Sequence, residues 1–400
     1  MLNTKFAPWP SFSQEESRKV SSVLSSNQVN YWTGEECRAF EKEFSQYLGV
    51  KYAISVFNGT VALDATWSAL DLKQDDEVIV TSRTFVASAS SIAMAGAVPV
   101  FVDVEIESQN IDPKKIKNAI TKKTKAILCV HLAGWPCDMD EILLIAKENS
   151  LFVIEDCAQA HGGRYKGRPL GSIGHIACWS FCQDKIISTG GEGGMITTND
   201  KSLWQKLWSI KDHGKSFQKI SKPNKEKKFI WCHDSIGTNY RMTELQAAIG
   251  RIQLRKLDSM NSIRRSNQDR IWSAASLIKG LRVPNFGCSS CDCNQSGNCN
   301  HAAYKCYLFI EPKEIKKNWS RDRIIREINR FGVPCTMGTC SEVYLEKAFK
   351  DLNMQPKTRL PNAKLLGETS LMLLIHPTLT KKEIELTCKV LKDVFAKACK

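Results

Sequence analysis

Short apolar runs alternate with amphipathic stretches through about the first 200 residues of the chain. The predicted strands are YAISVF, EVIVTS, PVFVDV, AILCVHL and LFVIED, and the predicted helices between them include TVALDATWSALDL, VASASSIAMAG and DEILLIAKEN. Because these strands are apolar without alternation, we expect helices to cover both faces of their sheet. The pattern predicts an α/β fold with a mainly parallel central sheet.

The pattern changes near Thr243, where a long helical segment begins. Beyond it come a shorter strand, YKCYLFIEP, and the helical segments SRDRIIREINRFG and KKEIELTCKVLKDVFAKA. We therefore predict a large domain over residues 15–255 and a smaller C-terminal α+β domain over residues 256–400. Residues 1–14 are expected to pack on the smaller domain.

Composition narrows the class of protein. The 400 residues are 42% hydrophobic and 24% charged, as in a globular protein. No apolar run approaches the roughly 20 residues of a membrane span, and MLNTKFAPWPSFSQEE lacks the apolar core of a signal peptide. We expect a cytoplasmic protein with no membrane partner.

The formal net charge is +14, with lysines clustered in residues 114–125 and 222–228. Neither cluster has the interleaved aromatics of a nucleic-acid surface, so no nucleic-acid partner is predicted; the second cluster is expected to be an exposed loop. A basic surface would also attract a diphosphate substrate.

Asp156 closes the strand FVIED, at the end where open α/β sheets bind their ligands. A carboxylate there can keep the ring nitrogen of pyridoxal 5′-phosphate (PLP) protonated, and Gln159 can contact the ring hydroxyl. Lys185, in an apolar neighbourhood, can form an imine with the same cofactor. Taken singly, Asp156 could instead cap a turn and Lys185 could lie on an exposed loop.

The cofactor phosphate also has candidate ligands. Asn58, Gly59 and Thr60 lie between a strand and a helix, where backbone N–H groups bind anions, and Ser180 offers a hydroxyl. Phe85 follows the strand EVIVTS and could stack on the ring or pack in the core.

Over almost its whole length the chain resembles the DegT/DnrJ/EryC1/StrS family of PLP-dependent sugar aminotransferases, of aminotransferase fold type I. The resemblance is carried by motifs in order along the chain: YWTGEECRAFEKEF, KYAISVFNGTVAL, DEVIVTSRTFVASASSIAMAGAVPVFVDV, TKAILCVHLAGWPCDMDEI, VIEDCAQAHGGRYKGRPLGSIG, SFCQDKIISTGGEGGMITTND, GTNYRMTELQAA and LIHPTLT.

The resemblance implies a role for each matched position. Lys185 would be the Schiff-base lysine and Asp156 the partner of the ring nitrogen. The other cofactor contacts would be Gln159 at the ring hydroxyl, Phe85 on the ring face, and Gly59, Thr60 and Ser180 at the phosphate. Asn239, in GTNYRM, would reach the phosphate of the neighbouring subunit, which implies a homodimer.

The resemblance also implies the reaction. Glutamate would pass its amine to PLP, giving pyridoxamine phosphate, which aminates a nucleotide-diphosphate keto-sugar; the amino sugar would serve polysaccharide, lipopolysaccharide or glycosylated-metabolite synthesis. The substrate candidates are Trp32, His301, Tyr304 and Lys305. The chain departs from the family at Trp135 and Cys182, which leaves the sugar open.

Two alternatives stand beside this prediction. Dehydratases of the same family carry histidine in place of the lysine, so the presence of Lys185 favours transamination. A non-catalytic binding or regulatory protein could use the same scaffold, but Asp156, Ser180, Lys185 and Asn239 are all in place.

Sixteen cysteines are spread along the chain. Cys129, Cys157 and Cys178 fall in apolar strands and are expected to be reduced and buried. A separate cluster comprises Cys288, Cys291, Cys293 and Cys299. Four thiols can hold zinc or an iron–sulfur cluster, but the spacing is tight for a zinc site. We predict no metal and interpret the cluster as a thiol-rich surface insertion.

Overall fold

The computed structural model describes residues 6–221, 229–285 and 299–400. Its helices are α1 (Gln14–Ser25), α2 (Glu36–Leu48), α3 (Gly59–Ala69), α4 (Val86–Met94), α5 (Pro113–Ala119), α6 (Met139–Glu148), α7 (Lys201–Lys211), α8 (Phe217–Ile220), α9 (Glu244–Ala275), α10 (Arg321–Arg330), α11 (Lys347–Asp351), α12 (Pro361–Thr369) and α13 (Lys381–Ala398). Its strands are β1 (Tyr52–Val56), β2 (Glu77–Thr81), β3 (Val98–Val102), β4 (Thr124–Val130), β5 (Phe152–Asp156), β6 (Arg164–Tyr165), β7 (Arg168–Pro169), β8 (Ile176–Ser180), β9 (Gly194–Thr198), β10 (Leu281–Arg282), β11 (Cys306–Ile310), β12 (Cys335–Thr336) and β13 (Ser370–Leu373).

The central sheet has seven strands in the order β1-β9-β8-β5-β4-β2-β3. The pairs from β3 to β8 are parallel, and β9 runs antiparallel to both of its neighbours. The predicted fold class, a mainly parallel sheet flanked by helices, is confirmed. Because β2, β4, β5 and β8 share a direction, their carboxyl ends meet at one edge of the sheet.

Both faces of the central sheet are buried. One hydrophobic cluster contains Cys129, Trp179 and Phe44, and a second contains Leu128 and Cys178 on the opposite face. Neighbouring residues of a strand thus point into different clusters, which is why the strands have no polar face.

A second sheet follows α9, with the antiparallel order β10-β11-β13-β12. The predicted domain boundary between residues 255 and 256 falls inside the continuous helix α9. Phe6 packs against the core beneath the second sheet, and the Ala7 N–H donates a 2.7 Å hydrogen bond to Glu383 Oε1. The amino-terminal segment therefore contacts the C-terminal part of the chain.

The cysteines that the structure describes are free thiols. Cys129, Cys157 and Cys178 are buried as expected, although Cys157 follows the end of β5 rather than lying within it. Cys299 is buried and accepts a hydrogen bond from the Lys166 N–H.

The other three members of the predicted cysteine cluster, Cys288, Cys291 and Cys293, lie outside the described residues, as does the lysine-rich segment 222–228. Among the helices that the structure describes, none is long and apolar enough to cross a membrane.

Candidate active site

Lys185 lies on the loop between β8 and β9, at the carboxyl edge of the central sheet. Its N–H donates a 3.1 Å hydrogen bond to the Cys182 carbonyl oxygen, and its own carbonyl oxygen accepts one of 2.9 Å from Trp9 Nε1. The side chain is half-buried, with Nζ 5.3 Å from the ring centroid of Tyr304. Hydrogen bonds thus hold the backbone of this lysine through both its N–H and its carbonyl oxygen.

Asp156 ends β5, the strand adjacent to β8, and is only 7% exposed. Its Oδ2 accepts a 2.7 Å hydrogen bond from Ser88 Oγ, and its Oδ1 accepts one of 3.1 Å from the Ala158 N–H. These two donors fix the plane of the carboxylate. A buried, oriented carboxylate at a strand end fits the protonated nitrogen of a pyridine ring.

Gln159 is buried three residues after Asp156, in the segment that follows β5. Its Oε1 accepts a 2.7 Å hydrogen bond from the Ala133 N–H. With the oxygen engaged, the amide nitrogen is the end of the side chain that can donate to a ligand.

The amino terminus of α3 lies directly against the end of β8. Asn58 caps the helix by accepting a 2.9 Å hydrogen bond from the Val61 N–H. The N–H groups of Gly59 and Thr60, in the first turn, have no acceptor within the helix. A Cβ placed on Gly59 would lie 2.7 Å from Ser180 Cβ. This close approach sets the Ser180 hydroxyl beside a helix amino terminus, an arrangement that fits a phosphate group.

Phe85 immediately precedes α4 and is 65% exposed. This exposure contradicts the interpretation of Phe85 as a core residue. It lies four positions after Thr81, which ends β2, at the edge of the sheet where β5 ends in Asp156. Its stacking on a cofactor ring stays a prediction.

Tyr304 and Lys305 form a polar group with Asp184, the residue before Lys185. The Tyr304 hydroxyl donates to Asp184 Oδ2, and Lys305 Nζ lies 3.8 Å from the same oxygen. Burial alone would raise the pKa of Asp184, but Lys185 and the Tyr304 hydroxyl bring that pKa below its usual value. Burial lowers the pKa of Lys305 to about 8, against the opposing effect of Asp184.

His301 lies behind this group, packed against Trp135 with ring centroids 5.6 Å apart. Its Nδ1 accepts a 2.8 Å hydrogen bond from the Ala303 N–H, and burial lowers its pKa to about 3. His301 is therefore neutral. Trp135, one of the two departures from the family pattern, is buried against His301, and the other, Cys182, is half-buried on the lysine loop.

Asn239 lies on an exposed segment before α9. Its backbone forms an isolated bridge with Asp212, and its Oδ1 accepts a 3.3 Å hydrogen bond from the Arg241 N–H. In the described part of the chain, none of its hydrogen bonds reaches Lys185 or Asp156. Its role toward a second subunit stays a prediction.

Trp32 also lies apart from the lysine loop in its contacts. Its ring is 6.1 Å from that of Trp208, and Lys215 Nζ is 4.5 Å from its centroid. Together with Tyr31 and Phe217 it lines a cavity of about 320 Å³. The role of Trp32 in substrate binding stays a prediction.

Several residues of the site had no role in the sequence interpretation: Trp9, Ser88, Asp184, Arg264 and His376. His376 was quoted in the motif LIHPTLT without a function, and Trp9 in the amino-terminal segment. Their contacts join distant parts of the chain, so no local pattern marks them.

One further group carries metal-ligand atoms. His131, Glu155 and Cys157 are buried within 4.8 Å of one another. The Glu155 carboxylate already accepts hydrogen bonds from the N–H groups of Gly171, Ile173 and Gly174 and lies 3.0 Å from His131 Nε2. His131 Nδ1 accepts a hydrogen bond from the Cys137 N–H, so Nε2 carries a proton and donates the hydrogen bond to Glu155. The group is a satisfied structural network and offers no open ligand set.

The fold and the residues at its sheet edge define the class, a PLP-dependent aminotransferase of fold type I. A sequence profile described as the DegT/DnrJ/EryC1/StrS aminotransferase family matches residues 10–392. The chain belongs to this family, and the resemblance inferred from its motifs is confirmed.

Individual relatives are similar along the whole chain. A GDP-perosamine synthase from Escherichia coli O157:H7 is 42% identical over 390 residues, covering 97% of each chain. The X-ray structure of an aminotransferase from Psychrobacter cryohalolentis is 55% identical, with a TM-score of 0.95 over 98% of this chain and 99% of that one. The structure of the E. coli GDP-4-keto-6-deoxy-D-mannose-3-dehydratase with bound hydrated PLP is 26% identical, with a TM-score of 0.83 over 98% of this chain and 100% of that one.

Proposed function

We propose that this aminotransferase uses PLP to move an amino group from glutamate to the keto carbon of a nucleotide-linked deoxy sugar. The observation that carries the proposal is the meeting of Lys185, Asp156 and the amino terminus of α3 at one edge of the central sheet. Each of these groups suits one part of PLP: the lysine amine the aldehyde, the carboxylate the ring nitrogen, and the helix amino terminus the phosphate.

When bound, PLP supplies a ring that accepts the electron pair from the bond broken at the donor's α-carbon. Asp156 holds the proton on the ring nitrogen, and Ser180 with the first turn of α3 holds the phosphate. Lys185 would hold the cofactor through Nζ, and as a free neutral amine it would take the proton from the donor's α-carbon and deliver it to the cofactor.

The nucleotide-sugar substrate is supported by the relative named GDP-perosamine synthase. Cationic groups near the lysine loop suit its diphosphate: Lys305 Nζ lies 3.8 Å from Asp184 on that loop, and the buried Arg264 donates a 3.4 Å hydrogen bond to the Tyr304 carbonyl oxygen. We further infer that the protein is cytoplasmic and that the amino sugar enters polysaccharide, lipopolysaccharide or glycosylated-metabolite synthesis.

The alternative function is that of a dehydratase. The E. coli GDP-4-keto-6-deoxy-D-mannose-3-dehydratase has the same fold as this chain. The lysine at position 185 favours amine transfer, because a lysine can both hold the cofactor and release it to an amino donor. The two reactions differ in their products: a transaminase leaves a new amine on the sugar, whereas a dehydratase leaves a deoxy carbon without one.

The test begins with the visible spectrum of the protein mixed with PLP. Wild type is expected to show the band of lysine-linked PLP and lose it when glutamate is added, and Lys185→Ala is expected to show neither change. Lys166→Ala, at an exposed salt bridge with Asp140, is the control and should behave as wild type. No band in wild type, or a band that glutamate leaves unchanged, would refute the proposal.

The second stage uses ¹⁵N-glutamate with GDP-, dTDP- and UDP-linked 4-keto and 3-keto sugars, analysed by mass spectrometry. Incorporation of ¹⁵N into one of the sugars identifies the substrate. A product that lacks the label and one oxygen would instead establish the dehydratase reaction.

The shared active site of a homodimer has its own test. Lys185→Ala and Asn239→Ala are each expected to be inactive, but a mixed dimer would contain one site with both residues intact. Mixing the two variants under conditions of subunit exchange should therefore restore part of the activity. If the mixture stays inactive while hybrid dimers form, Asn239 does not act across the interface.

A further inference from the structure

Trp9 connects the amino-terminal segment to the loop that carries Lys185. Its indole Nε1–H donates a 2.9 Å hydrogen bond to the Lys185 carbonyl oxygen. The contact is made to the backbone of the lysine, so it leaves the amine free to react. It also joins two residues that are 176 positions apart in the chain.

The indole ring is held by two residues from the C-terminal part of the chain. The His376 ring stacks on it with centroids 5.9 Å apart and planes inclined by 21°. The Arg264 guanidinium lies 4.7 Å from the ring centroid. Arg264 belongs to α9 and His376 follows β13, so the position of Trp9 is set by the elements that surround the second sheet.

The backbone on the amino-terminal side of Trp9 is fixed as well. Thr378 Oγ1 donates a 2.7 Å hydrogen bond to the Pro8 carbonyl oxygen, and the Ala7 N–H donates one to Glu383 Oε1. Since the Thr378 hydroxyl has one proton and gives it to Pro8, His376 Nδ1, 2.9 Å away, donates to the same oxygen. A continuous set of contacts thus runs from α13 through Trp9 to the lysine.

We propose that Trp9 is a positioning residue for Lys185, which rests on the proposed role of Lys185 as the lysine that holds PLP. A lysine side chain has four rotatable bonds, so its amine is placed accurately only if its backbone is fixed. The indole N–H supplies that fixation from the side of the second sheet, while the Cys182 carbonyl supplies it from within the loop. Misplacement of a reacting group by about 1 Å is enough to slow a reaction strongly.

The experiment compares wild type with Trp9→Phe, both loaded with PLP. Phenylalanine keeps an aromatic ring between Arg264 and His376 but removes the N–H donor. The matched control is Trp319→Phe, because the Trp319 ring also lies 4.4 Å from an arginine guanidinium, that of Arg323, and is placed before α10. The readout is the rate at which hydroxylamine removes PLP from the lysine, followed by loss of the absorbance band, beside the melting temperature.

Trp9→Phe is expected to react with hydroxylamine roughly three- to tenfold faster than wild type. The lysine that holds PLP loses one of the hydrogen bonds that fix its backbone, so its link to PLP is less protected from attack. Trp319→Phe is expected to react at the wild-type rate. A lower melting temperature in Trp9→Phe with an unchanged hydroxylamine rate would show a structural role alone and overturn the proposal.

A second variant covers the case in which Trp9→Phe does not fold. Thr378→Val removes the bond to Pro8 and is expected to raise the hydroxylamine rate in the same direction. If wild type shows no band with PLP, the proposed function itself fails. If wild type shows the band and the variants that fold react at its rate, only the positioning role of Trp9 is refuted.

Discussion

The hydroxyl of Ser88 donates a 2.7 Å hydrogen bond to Oδ2 of Asp156, and thereby joins α4 to the end of β5. Both residues are buried, so water does not compete for the bond. The other carboxylate oxygen accepts from the Ala158 backbone. Among the residues that the structure describes, Ser88 is therefore the one side chain that donates a hydrogen bond to this carboxylate.

We expect Ser88→Ala to lower the rate of amine transfer by roughly three- to tenfold, because Asp156 would keep its charge but lose one of its two fixed contacts. The measurement is the initial rate at saturating PLP. Ser91→Ala is the matched control: Ser91 is buried on the same helix, but its hydroxyl accepts from Trp67 Nε1. Equal rate losses in the two variants would mean that the effect comes from α4 as a whole and would contradict this prediction.

The contact between Gly59 and Ser180 leads to a second prediction. A methyl group on Gly59 would lie 2.7 Å from Ser180 Cβ and 3.2 Å from its Cα, so the helix or the strand would have to move. Gly59→Ala is expected to weaken PLP binding by at least about fivefold, since a displacement costing about 1–3 kcal/mol falls on the predicted phosphate site.

PLP affinity can be measured by titrating the apoprotein and following the absorbance band. The control is Ser68→Ala in the last turn of the same helix, where the residue is exposed and its hydroxyl donates a hydrogen bond to the Asp64 carbonyl oxygen. Unaltered PLP affinity in Gly59→Ala would remove the first turn of α3 from the cofactor site.

The burial of Lys305 predicts a stability that rises with pH. Its pKa is lowered to about 8 in the folded chain and is near 10.4 when unfolded. Between these values the unfolded chain binds more protons, so raising the pH favours the folded state. From pH 8 to pH 10 this residue should add on the order of 2 kcal/mol to the free energy of unfolding.

Urea unfolding of wild type and Lys305→Met at pH 8 and pH 10 measures this contribution. The variant is expected to lack the increase, whereas Lys313→Met, at an exposed position, should retain it. If the free energy of unfolding changes with pH in the same way in wild type and in Lys305→Met, folding does not lower the pKa of Lys305 and this prediction is wrong.

How much of this site is readable from sequence depends on how local each feature is. Asp156 was found because an apolar run that ends in an acid marks a strand end, and parallel strands bring their ends to one edge. Lys185 and Gly59 were found because short motifs surround them. The lowered pKa of Lys305 was not, because it depends on burial in the folded chain and on Arg264, which belongs to α9.

The same reason explains why Trp9 had no predicted role. Its three partners are Lys185, Arg264 and His376, all more than 170 residues away. A tryptophan near an amino terminus carries no pattern that would indicate such contacts. Only the packing of the second sheet against the amino-terminal segment brings them together.

His161 provides the last prediction, on stability in acid. Its ring is buried between Trp179 and Phe181, with centroids 5.2 Å and 5.6 Å away. Among the described residues neither ring nitrogen has a hydrogen-bond partner. Burial, with Lys185 and Arg264 adding to it, lowers the pKa of His161 to about 3.

Since an unfolded histidine has a pKa near 6.5, the unfolded chain binds more protons between pH 6.5 and pH 3. Falling pH therefore favours unfolding, and this histidine should cost the fold about 2 kcal/mol at pH 5 relative to pH 7. His161→Phe keeps a ring of similar size without a titratable group. The variant is expected to lose less stability than wild type between pH 7 and pH 5 in urea unfolding, while His233→Phe, at an exposed position, should follow wild type. Parallel pH dependence in wild type and His161→Phe would show that this imidazole gains its proton in the folded chain as readily as in the unfolded one.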